Sequence, residues 1–280
     1  MTNAHIEHEA ALIAATDRPR TRDSLAADLR ALGVAPGEVL LVHSSLSSMG
    51  WIAGGAPAFA HALLDVLGRA GTLVVPAQTG ENSDPRWWRA PPVPEEWWPV
   101  IRAAMPGYDP AITPSRGMGA VPEVVRRWPG AIRSGHPQFS FAAVGSLAGP
   151  LMSVHDLECP FGERSPVAAM EAAGARILMV GVDFGQCTAL HLAEARVPGI
   201  PDEENGCAVL RPGGTSEWIT YRAAIAHSAD FAQVGAAFTE TGGVLTGPVG
   251  SAAARLFSLP AVVAFATPRL TRRPIPAPSE

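Results

Sequence analysis

The spacing of apolar residues near the start of the chain predicts a helix followed by a strand–helix–strand unit. Leucines recur at helical intervals over residues 21–32, and Gly33 is a residue type that commonly ends a helix. Two later segments are almost continuously apolar, which is typical of parallel strands buried on both faces. The unit comprises a strand at 39–45, a helix at 56–71 and a strand at 72–78. This pattern predicts one βαβ crossover.

The alternation continues until the C-terminal third, where its character changes. Helices are predicted at 119–128, 165–174, 230–240 and 258–266, and strands at 139–144 and 177–182. Residues 207–222 instead form two extended arms around Pro212, Gly213 and Gly214, which is typical of a hairpin at an antiparallel edge. We therefore predict a single large α/β domain with a mostly parallel central sheet, helices on both faces and an antiparallel hairpin in the C-terminal third.

Three segments lie outside this alternation. Residues 1–20 are predicted to be an N-terminal extension of a domain at 21–267, and residues 268–280 a disordered, proline-rich tail. Residues 80–118 carry four of the seven tryptophans and many prolines, in a span too long for an ordinary connection. This lid-like loop has two interpretations: a lid over a substrate, or an Ω-loop that packs its indoles on itself.

Composition excludes several classes of function. The formal charge of −5 and a pI near 5.9 indicate that the protein lacks the excess of positive charge that attracts nucleic acid. All 21 basic side chains are arginine, so a lysine nucleophile or Schiff base is excluded. The three cysteines, Cys159, Cys187 and Cys207, lack the pairing of a disulfide framework or a zinc site, and we predict no metal. Residues 1–20 are too polar for a signal peptide and no apolar run reaches membrane-spanning length, so we expect a soluble cytoplasmic protein.

The first candidate chemistry follows the strand at 177–182. Gly181 and Gly185 punctuate a tight turn, and Thr188 is predicted to cap the next helix. His191 and Glu194 then lie three positions apart, on one helix face. The carboxylate could hold one imidazole nitrogen while the other takes a substrate proton near neutral pH. The alternative is an interior histidine beside a solvated glutamate.

The second candidate is a loop rich in serine and glycine, VHSSLSSMGWIAGG at 42–55, at the carboxyl end of the first strand. Backbone amides and short hydroxyl side chains at such a position bind anions, including phosphate. The sequence is neither GxGxxG nor a Walker motif, so a Rossmann dinucleotide site and P-loop hydrolysis are disfavoured. A structural turn is the alternative, with His43 as a core residue. Ser44 and Ser45 lie outside a GxSxG motif, which disfavours a serine hydrolase.

Five ordered blocks of the sequence resemble the aminoglycoside 3-N-acetyltransferase family. They are LLVHSSLSSMG, GTLVVPAQ, GMGAVPEVVRRWPGAIRSGHPQFSFAAVG, SPVAAM and ILMVGVDFGQCTALHLAE. The resemblance implies transfer of an acetyl group from acetyl-CoA to an amine by direct attack in a ternary complex. It implies a general base at His191, its orienting carboxylate at Glu194 and a position beside the thioester for Thr188. The implied contacts with the pantetheine and pyrophosphate of CoA are Ser44, Ser45, Leu46 and Ser47.

The resemblance also implies an acceptor, the 3-amino group of an aminoglycoside. Members of the family carry acidic residues after the hairpin, whereas residues 221–230 of this chain retain only Asp230. The residues predicted to bind the acceptor instead are Asp183, Glu203, Glu204, Trp87 and Trp88, the tryptophans by stacking. Three alternatives remain: an acyltransferase for another amino metabolite, a non-catalytic ligand-binding protein of the same fold, and a thioester hydrolase.

Overall fold

The computed structural model describes residues 3–224 and 226–272. The helices are α1 (Asn3–Ala14), α2 (Arg22–Leu32), α3 (Gly55–Leu67), α4 (Trp98–Ala104), α5 (Ala120–Arg126), α6 (Ala148–Met152), α7 (Pro166–Ala172), α8 (Leu190–Ala195), α9 (Phe231–Thr239) and α10 (Leu259–Leu270). The strands are β1 (Val39–Ser44), β2 (Thr72–Pro76), β3 (Ile132–Arg133), β4 (Phe141–Gly145), β5 (Arg176–Val180), β6 (Asp202–Leu210), β7 (Ser216–Ala224), β8 (Val244–Val249) and β9 (Ala252–Ser258).

A central sheet of seven strands has the order β3-β4-β2-β1-β5-β9-β8. The inner strands β2, β1 and β5 pair in parallel, which confirms the predicted crossover. The outer pairings, β2 with β4, β3 with β4, β5 with β9 and β8 with β9, are antiparallel. Five of the seven strands therefore run in one direction. The sheet is mostly parallel in this sense, and the carboxyl ends of its three central strands meet at one edge.

The two faces of the sheet bury separate cores, because alternate strand residues point to opposite sides. Leu40 and Val42 of β1 pack with α2, α3 and α5 on one face. Val39 and Leu41 of the same strand pack with helices α6 to α10 on the other face. β1 and β2 are buried along almost their whole length. This double burial explains their nearly continuous apolar sequences and confirms helices on both faces.

The stop signal of α2 at Gly33 was read correctly from the sequence, and the structure adds a capping box at its start. The Thr21 hydroxyl accepts a hydrogen bond from the Ser24 amide, and the Ser24 hydroxyl completes a capping box. Gly33 adopts a left-handed conformation with a φ of 103°, which glycine reaches at little cost. Local sequence therefore fixes both ends of this helix.

Four details of the sequence interpretation are corrected. Thr188 does not cap α8, because the helix begins at Leu190 and the residue preceding it, Ala189, makes no capping bond. The hairpin β6–β7 forms a two-stranded sheet of its own rather than an edge of the central sheet. Strands β8 and β9 were not predicted. Helix α10 continues through Pro268 to Leu270, and residues 273–280 of the predicted tail lie outside the described residues.

The lid-like loop at 80–118 is fastened to the hairpin by polar contacts. The Asn82 side chain donates to the Ala208 carbonyl at 2.8 Å and accepts from the Ala208 amide at 2.7 Å. The Gly107 amide donates to the Ser216 hydroxyl at 2.7 Å. Within the loop, the buried carboxylate of Asp84 pairs with Arg102 of α4 at 2.8 Å. The loop is thus a structured element that rests on β6–β7. None of the helices in the described part of the chain is long and apolar enough to cross a bilayer.

Candidate active site

A cavity of about 980 Å³ opens at the carboxyl ends of β1, β2 and β5. Ligands commonly bind open α/β sheets at this edge, and the volume is near the upper end of the roughly 300–1,000 Å³ usual for ligand pockets. The lining includes Ser44 at the end of β1 with Ser45, Leu46 and Ser47 after it, Pro76 at the end of β2 with Gln78 after it, and Thr188 and His191 after β5. The structure therefore brings the two candidate segments, which are well over a hundred residues apart in sequence, to one cavity.

His191 and Glu194 form a hydrogen-bonded pair on α8. Nδ1 of His191 lies 2.8 Å from Oε2 of Glu194, and the Glu194 side chain is only 2% exposed. A carboxylate can only accept a hydrogen bond, so the pairing places the proton of the neutral ring on Nδ1. Nε2 is then left as the basic nitrogen of the imidazole.

Two phenylalanines hold the His191 ring. Phe161 stacks on it with centroids 4.6 Å apart and an interplanar angle of 23°, and Phe231 packs against it edge-on at 4.7 Å. The Glu194 carboxylate also accepts a hydrogen bond from the backbone amide of His227 at 2.9 Å. The ring orientation is therefore set from α8, from the segment before α7 and from the start of α9. The sequence analysis missed both phenylalanines, because they lie 30 and 40 positions from His191 and no local pattern links them to it.

The serine-rich loop turns sharply after β1. The Ser45 amide donates to the Val180 carbonyl of β5 at 2.9 Å, and the Ser45 carbonyl accepts from the Ser48 hydroxyl at 2.6 Å. Residues Leu46–Met49 form a single 3-10 turn. The loop is thus tied to the end of β5, and the hydroxyl-bearing residues 44, 45 and 47 line the cavity.

His43 was left open between core packing and ligand contact. Its side chain lines the cavity yet is 6% exposed, and burial lowers its pKa to about 4 because the imidazolium is poorly solvated there. Among the described residues its Nε2 has no hydrogen-bond partner. Buried polar atoms are normally paired, so this buried, neutral nitrogen is an exception, and the burial of the ring agrees with the interpretation of His43 as a core residue at the end of β1.

Thr188 lies on the turn that precedes α8 rather than in a capping position. Its carbonyl accepts a hydrogen bond from the His191 amide at 3.1 Å, and the residue is 9% exposed at the cavity wall. Thr188 therefore lies three residues, or about one helical turn, before His191.

The five residues predicted to bind the acceptor are dispersed and do not belong to the lining of this cavity. The Asp183 carboxylate accepts from the Gly185 amide at 2.9 Å within its own turn. Glu204 pairs with Arg86 at 2.8 Å, and burial raises the pKa of Glu203. The Trp88 indole donates to Ser83 at 3.0 Å, and Trp87 lies under the Arg86 guanidinium. Most of these side chains already have partners within the chain.

A smaller cavity of about 340 Å³ is lined by residues of α8 and shares His191 with the first. The carboxylates in its lining are Glu158, Glu163, Glu194 and Asp202. Arg196, also in the lining, pairs with Glu163 at 2.7 Å and with Glu171 at 2.6 Å. This cavity, whose lining contains four carboxylates and the arginines Arg164 and Arg196, was not anticipated, since its residues come from four separate stretches of sequence. Among the described residues, no group of three or more His, Cys, Asp or Glu side chains is arranged to hold a metal ion.

Comparison with known proteins identifies the family. The model of the aminoglycoside 3-N-acetyltransferase family matches residues 41–271. The chain belongs to this family. YokD of Bacillus subtilis strain 168, named as an SPbeta prophage-derived aminoglycoside N(3')-acetyltransferase-like protein, is 43% identical over 256 residues, which cover 91% of this chain and 94% of that protein.

Solved structures in the aminoglycoside 3-N-acetyltransferase family have the same fold. The crystal structure of YokD matches with a TM-score of 0.91 and 42% identity over 93% of this chain and 96% of that chain. AAC-IIIb in a binary complex with CoASH matches with a TM-score of 0.82 and 31% identity over 93% and 100%. AAC-VIa bound to sisomicin matches with a TM-score of 0.81 and 30% identity over 90% and 98%.

Proposed function

We propose that the protein transfers the acetyl group of acetyl-CoA to an amine, and that the acceptor is the 3-amino group of an aminoglycoside. The observation that carries this proposal is the His191–Glu194 pair, 2.8 Å apart, at the wall of a cavity that also exposes the serine-rich loop. A base is required because an ammonium is not a nucleophile until it loses a proton. Membership of the family and its CoASH-bound member support the choice of acyl donor.

The serine-rich loop is suited to the pantetheine and pyrophosphate of CoA. Ser44, Ser45 and Ser47 offer hydroxyl groups at the end of a parallel strand, and Leu46 lies between them at the cavity wall. Acetyl-CoA supplies the reactive thioester, while these residues bind and orient it.

The proposed reaction is a direct transfer in a ternary complex. Nε2 of His191 accepts a proton from the acceptor ammonium, and the resulting amine attacks the acetyl carbon. A carbon–nitrogen bond forms, the carbon–sulfur bond breaks and CoA leaves as a thiolate. The nitrogen loses a second proton as the amide forms, so that of the two protons lost one ends on the CoA thiol and the other is released to solvent. Glu194 stabilises the imidazolium formed in between. Thr188, which lies about one helical turn before the base, is the proposed neighbour of the thioester.

Glu194→Gln is expected to lower turnover less than removal of the imidazole does. The amide keeps the shape of the carboxylate but not its charge, so the imidazolium that forms during transfer loses part of its stabilisation. The values of kcat for Glu194→Gln, for His191→Ala and for wild type are compared at saturating substrates. A kcat of Glu194→Gln equal to that of wild type would show that the pair does not operate in the working enzyme.

A cationic acceptor suits the carboxylates in the lining of the smaller cavity, which also includes His191. Four carboxylates line that cavity, of which Glu194 is bonded to His191 and Glu163 is paired with Arg196. Glu203, Glu204 and Asp183 remain the predicted acceptor contacts on the hairpin and the turn, with Trp87 and Trp88 on the lid-like loop. An AAC-VIa structure with bound sisomicin supports the class of acceptor.

A second candidate is an acyltransferase for another amino metabolite. The observation in its favour is that the predicted acceptor residues already bond to other residues of the chain, above all Glu204, which forms an ion pair with Arg86. A neutralised carboxylate attracts a polycation less strongly than a free one.

We expect CoA release that depends on aminoglycosides with a free 3-amino group. Free CoA thiol is measured with three sets of acceptors: such aminoglycosides, the same compounds blocked at that nitrogen, and unrelated amino metabolites. The acceptor KM should rise with salt, because exposed charge attraction is screened over about 10 Å at 0.1 M ionic strength.

Each other outcome of this assay identifies a different function. Release with blocked and free compounds alike, or only with unrelated amines, would replace the aminoglycoside acceptor by another amine. Release without any amine would indicate a thioester hydrolase. A protein that binds CoA and releases no thiol under any condition would be a non-catalytic binder.

A further inference from the structure

The half-buried imidazole of His155 is a titratable group that the proposed reaction does not use. His155 lies between α6 and α7, in a stretch, 153–165, that forms neither helix nor strand. Both of its ring nitrogens have partners: Nδ1 lies 2.9 Å from the Ser134 hydroxyl oxygen, and Nε2 lies 2.8 Å from the Pro160 carbonyl oxygen. Ser134 directly follows β3 and is fully buried. His155 therefore joins the edge of the central sheet to the backbone at Pro160.

These hydrogen bonds define the state of the His155 ring. A carbonyl oxygen can only accept, so Nε2 carries a proton and donates it to Pro160. In the neutral ring Nδ1 then accepts from the Ser134 hydroxyl, whose oxygen itself accepts from the Phe141 amide at 2.9 Å. Burial beside His136 and Phe141 lowers the pKa of His155 to about 4, so the ring is neutral around pH 7. The bond from His155 to Pro160 is therefore present in the working pH range of the protein.

The residue after Pro160 is Phe161, whose ring contacts both Phe139 and the His191 imidazole. The centroid of the Phe161 ring lies 5.0 Å from that of Phe139 and 4.6 Å from that of His191, and the Phe161 and His191 planes are inclined by only 23°. Because the stretch 153–165 lacks helix and strand, the Pro160 carbonyl receives its hydrogen bond from a side chain. The position of the Phe161 ring therefore depends on the bond that His155 donates one residue earlier.

We infer that His155 is a positioning residue for the base, an inference that rests on the proposed function. His155 holds the backbone from which the Phe161 ring projects, and this ring covers one face of His191. Glu194 holds one nitrogen of the imidazole and Phe231 contacts it edge-on, so the stacked face depends on Phe161. When Phe161 shifts, the imidazole is free to tilt. A misplacement of about 1 Å at the reacting atoms can cost roughly a hundredfold in rate.

Two polar variants of His155 differ in their reach to Pro160. The amide nitrogen in His155→Gln can donate to the Pro160 carbonyl as Nε2 does, whereas the shorter side chain in His155→Asn reaches only Ser134. His155→Asn is expected to lower kcat about ten- to a hundredfold, with the KM for acetyl-CoA within about twofold of wild type. His155→Gln should restore most of kcat. Both are measured by steady-state kinetics of the full chain with acetyl-CoA and an aminoglycoside that has a free 3-amino group.

Phe161→Leu tests the stacked ring itself. Leucine keeps an apolar side chain but cannot stack on His191, so kcat should again fall about ten- to a hundredfold. Phe238→Leu is the matched control, because it makes the same substitution in the same core. The aromatic partners of Phe238 are Phe257 and Phe265, and neither lines a cavity that includes the base. This control should lose stability while its kcat stays within about twofold of wild type.

Nuclear magnetic resonance of the His191 ring protons supplies a readout that does not depend on turnover. A phenyl ring shifts the resonances of protons above its face, so the His191 signals report the position of the Phe161 ring. These signals should move in His155→Asn and return to their wild-type positions in His155→Gln. A role of His155 in overall stability alone would leave the signals of both folded variants at their wild-type positions.

The outcomes separate this inference from the proposed function. Equal kcat values in His155→Asn and His155→Gln, or His191 signals that coincide in these two variants, would overturn the inference. Equal losses of kcat in Phe161→Leu and Phe238→Leu would overturn it as well, because general packing would then control the rate. This second pair keeps the inference testable if His155→Asn does not fold. If wild type releases no CoA thiol with any amine, the proposed function fails, whereas the His191 signals of the His155 variants still test the positioning.

Discussion

His191→Ala is expected to lower kcat by about two to four orders of magnitude, the range over which a positioned base accelerates proton transfer. The imidazole is held by Glu194 and by two phenylalanine rings, so the orientation of the ring, and with it the direction of Nε2, is fixed. The serine-rich loop is tied to β5 and not to α8, and CoA binding should therefore be retained. Steady-state kinetics at saturating substrates and calorimetry with CoA measure the two effects separately.

His61→Ala is the matched control for this experiment. His61 also packs against an aromatic ring, that of Trp128 at 4.7 Å, but it is exposed on α3 and does not line the cavity. Its replacement should leave kcat close to wild type. Near wild-type turnover in His191→Ala, with His61→Ala equally active, would exclude His191 as the base and require another proton acceptor.

Gly181→Ala is expected to destabilise the fold by roughly 2–5 kcal/mol, the sum of a left-handed residue and of overpacking. Gly181 follows β5 with a φ of 64°, a region that residues with a Cβ rarely adopt. An added Cβ would also overlap the Ser48 side chain of the serine-rich loop. The residue after β5 here meets the 3-10 turn that contains Ser48, so relief of the overlap requires one of the two segments to move. The free energy of unfolding is measured by urea denaturation.

Gly174→Ala separates the two contributions. Gly174 has a similar φ of 68°, but an added Cβ would meet no atom within 4 Å. This variant should lose only the conformational part, about 1–2 kcal/mol. An equal loss of unfolding free energy in both variants would mean that the overlap of the added Cβ with Ser48 does not destabilise the fold. A larger loss at Gly181 would show how closely the serine-rich loop packs against the end of β5.

The sequence alone determined the features that depend on neighbours along the chain. The capping box at Thr21, the left-handed Gly33 and the doubly buried strands β1 and β2 each follow from a few adjacent residues. The three-residue spacing of His191 and Glu194 likewise predicted a pair on one helix face, because side chains three positions apart on a helix are neighbours. The α/β class followed from the alternation of these local patterns, and the family from the order of the longer motifs.

Only the tertiary structure decided which distant segments meet. Phe161 and Phe231 enclose the imidazole, residues of α1 line the cavity, and β8 and β9 complete the sheet beside β5. The predicted cap at Thr188 failed because the chain makes an extra turn before α8 begins at Leu190. The residues predicted to bind the acceptor found partners inside the chain, such as Arg86 for Glu204. Periodicity records which face of an element is buried, but contacts between elements depend on packing across the whole domain, and short-range patterns do not encode that packing.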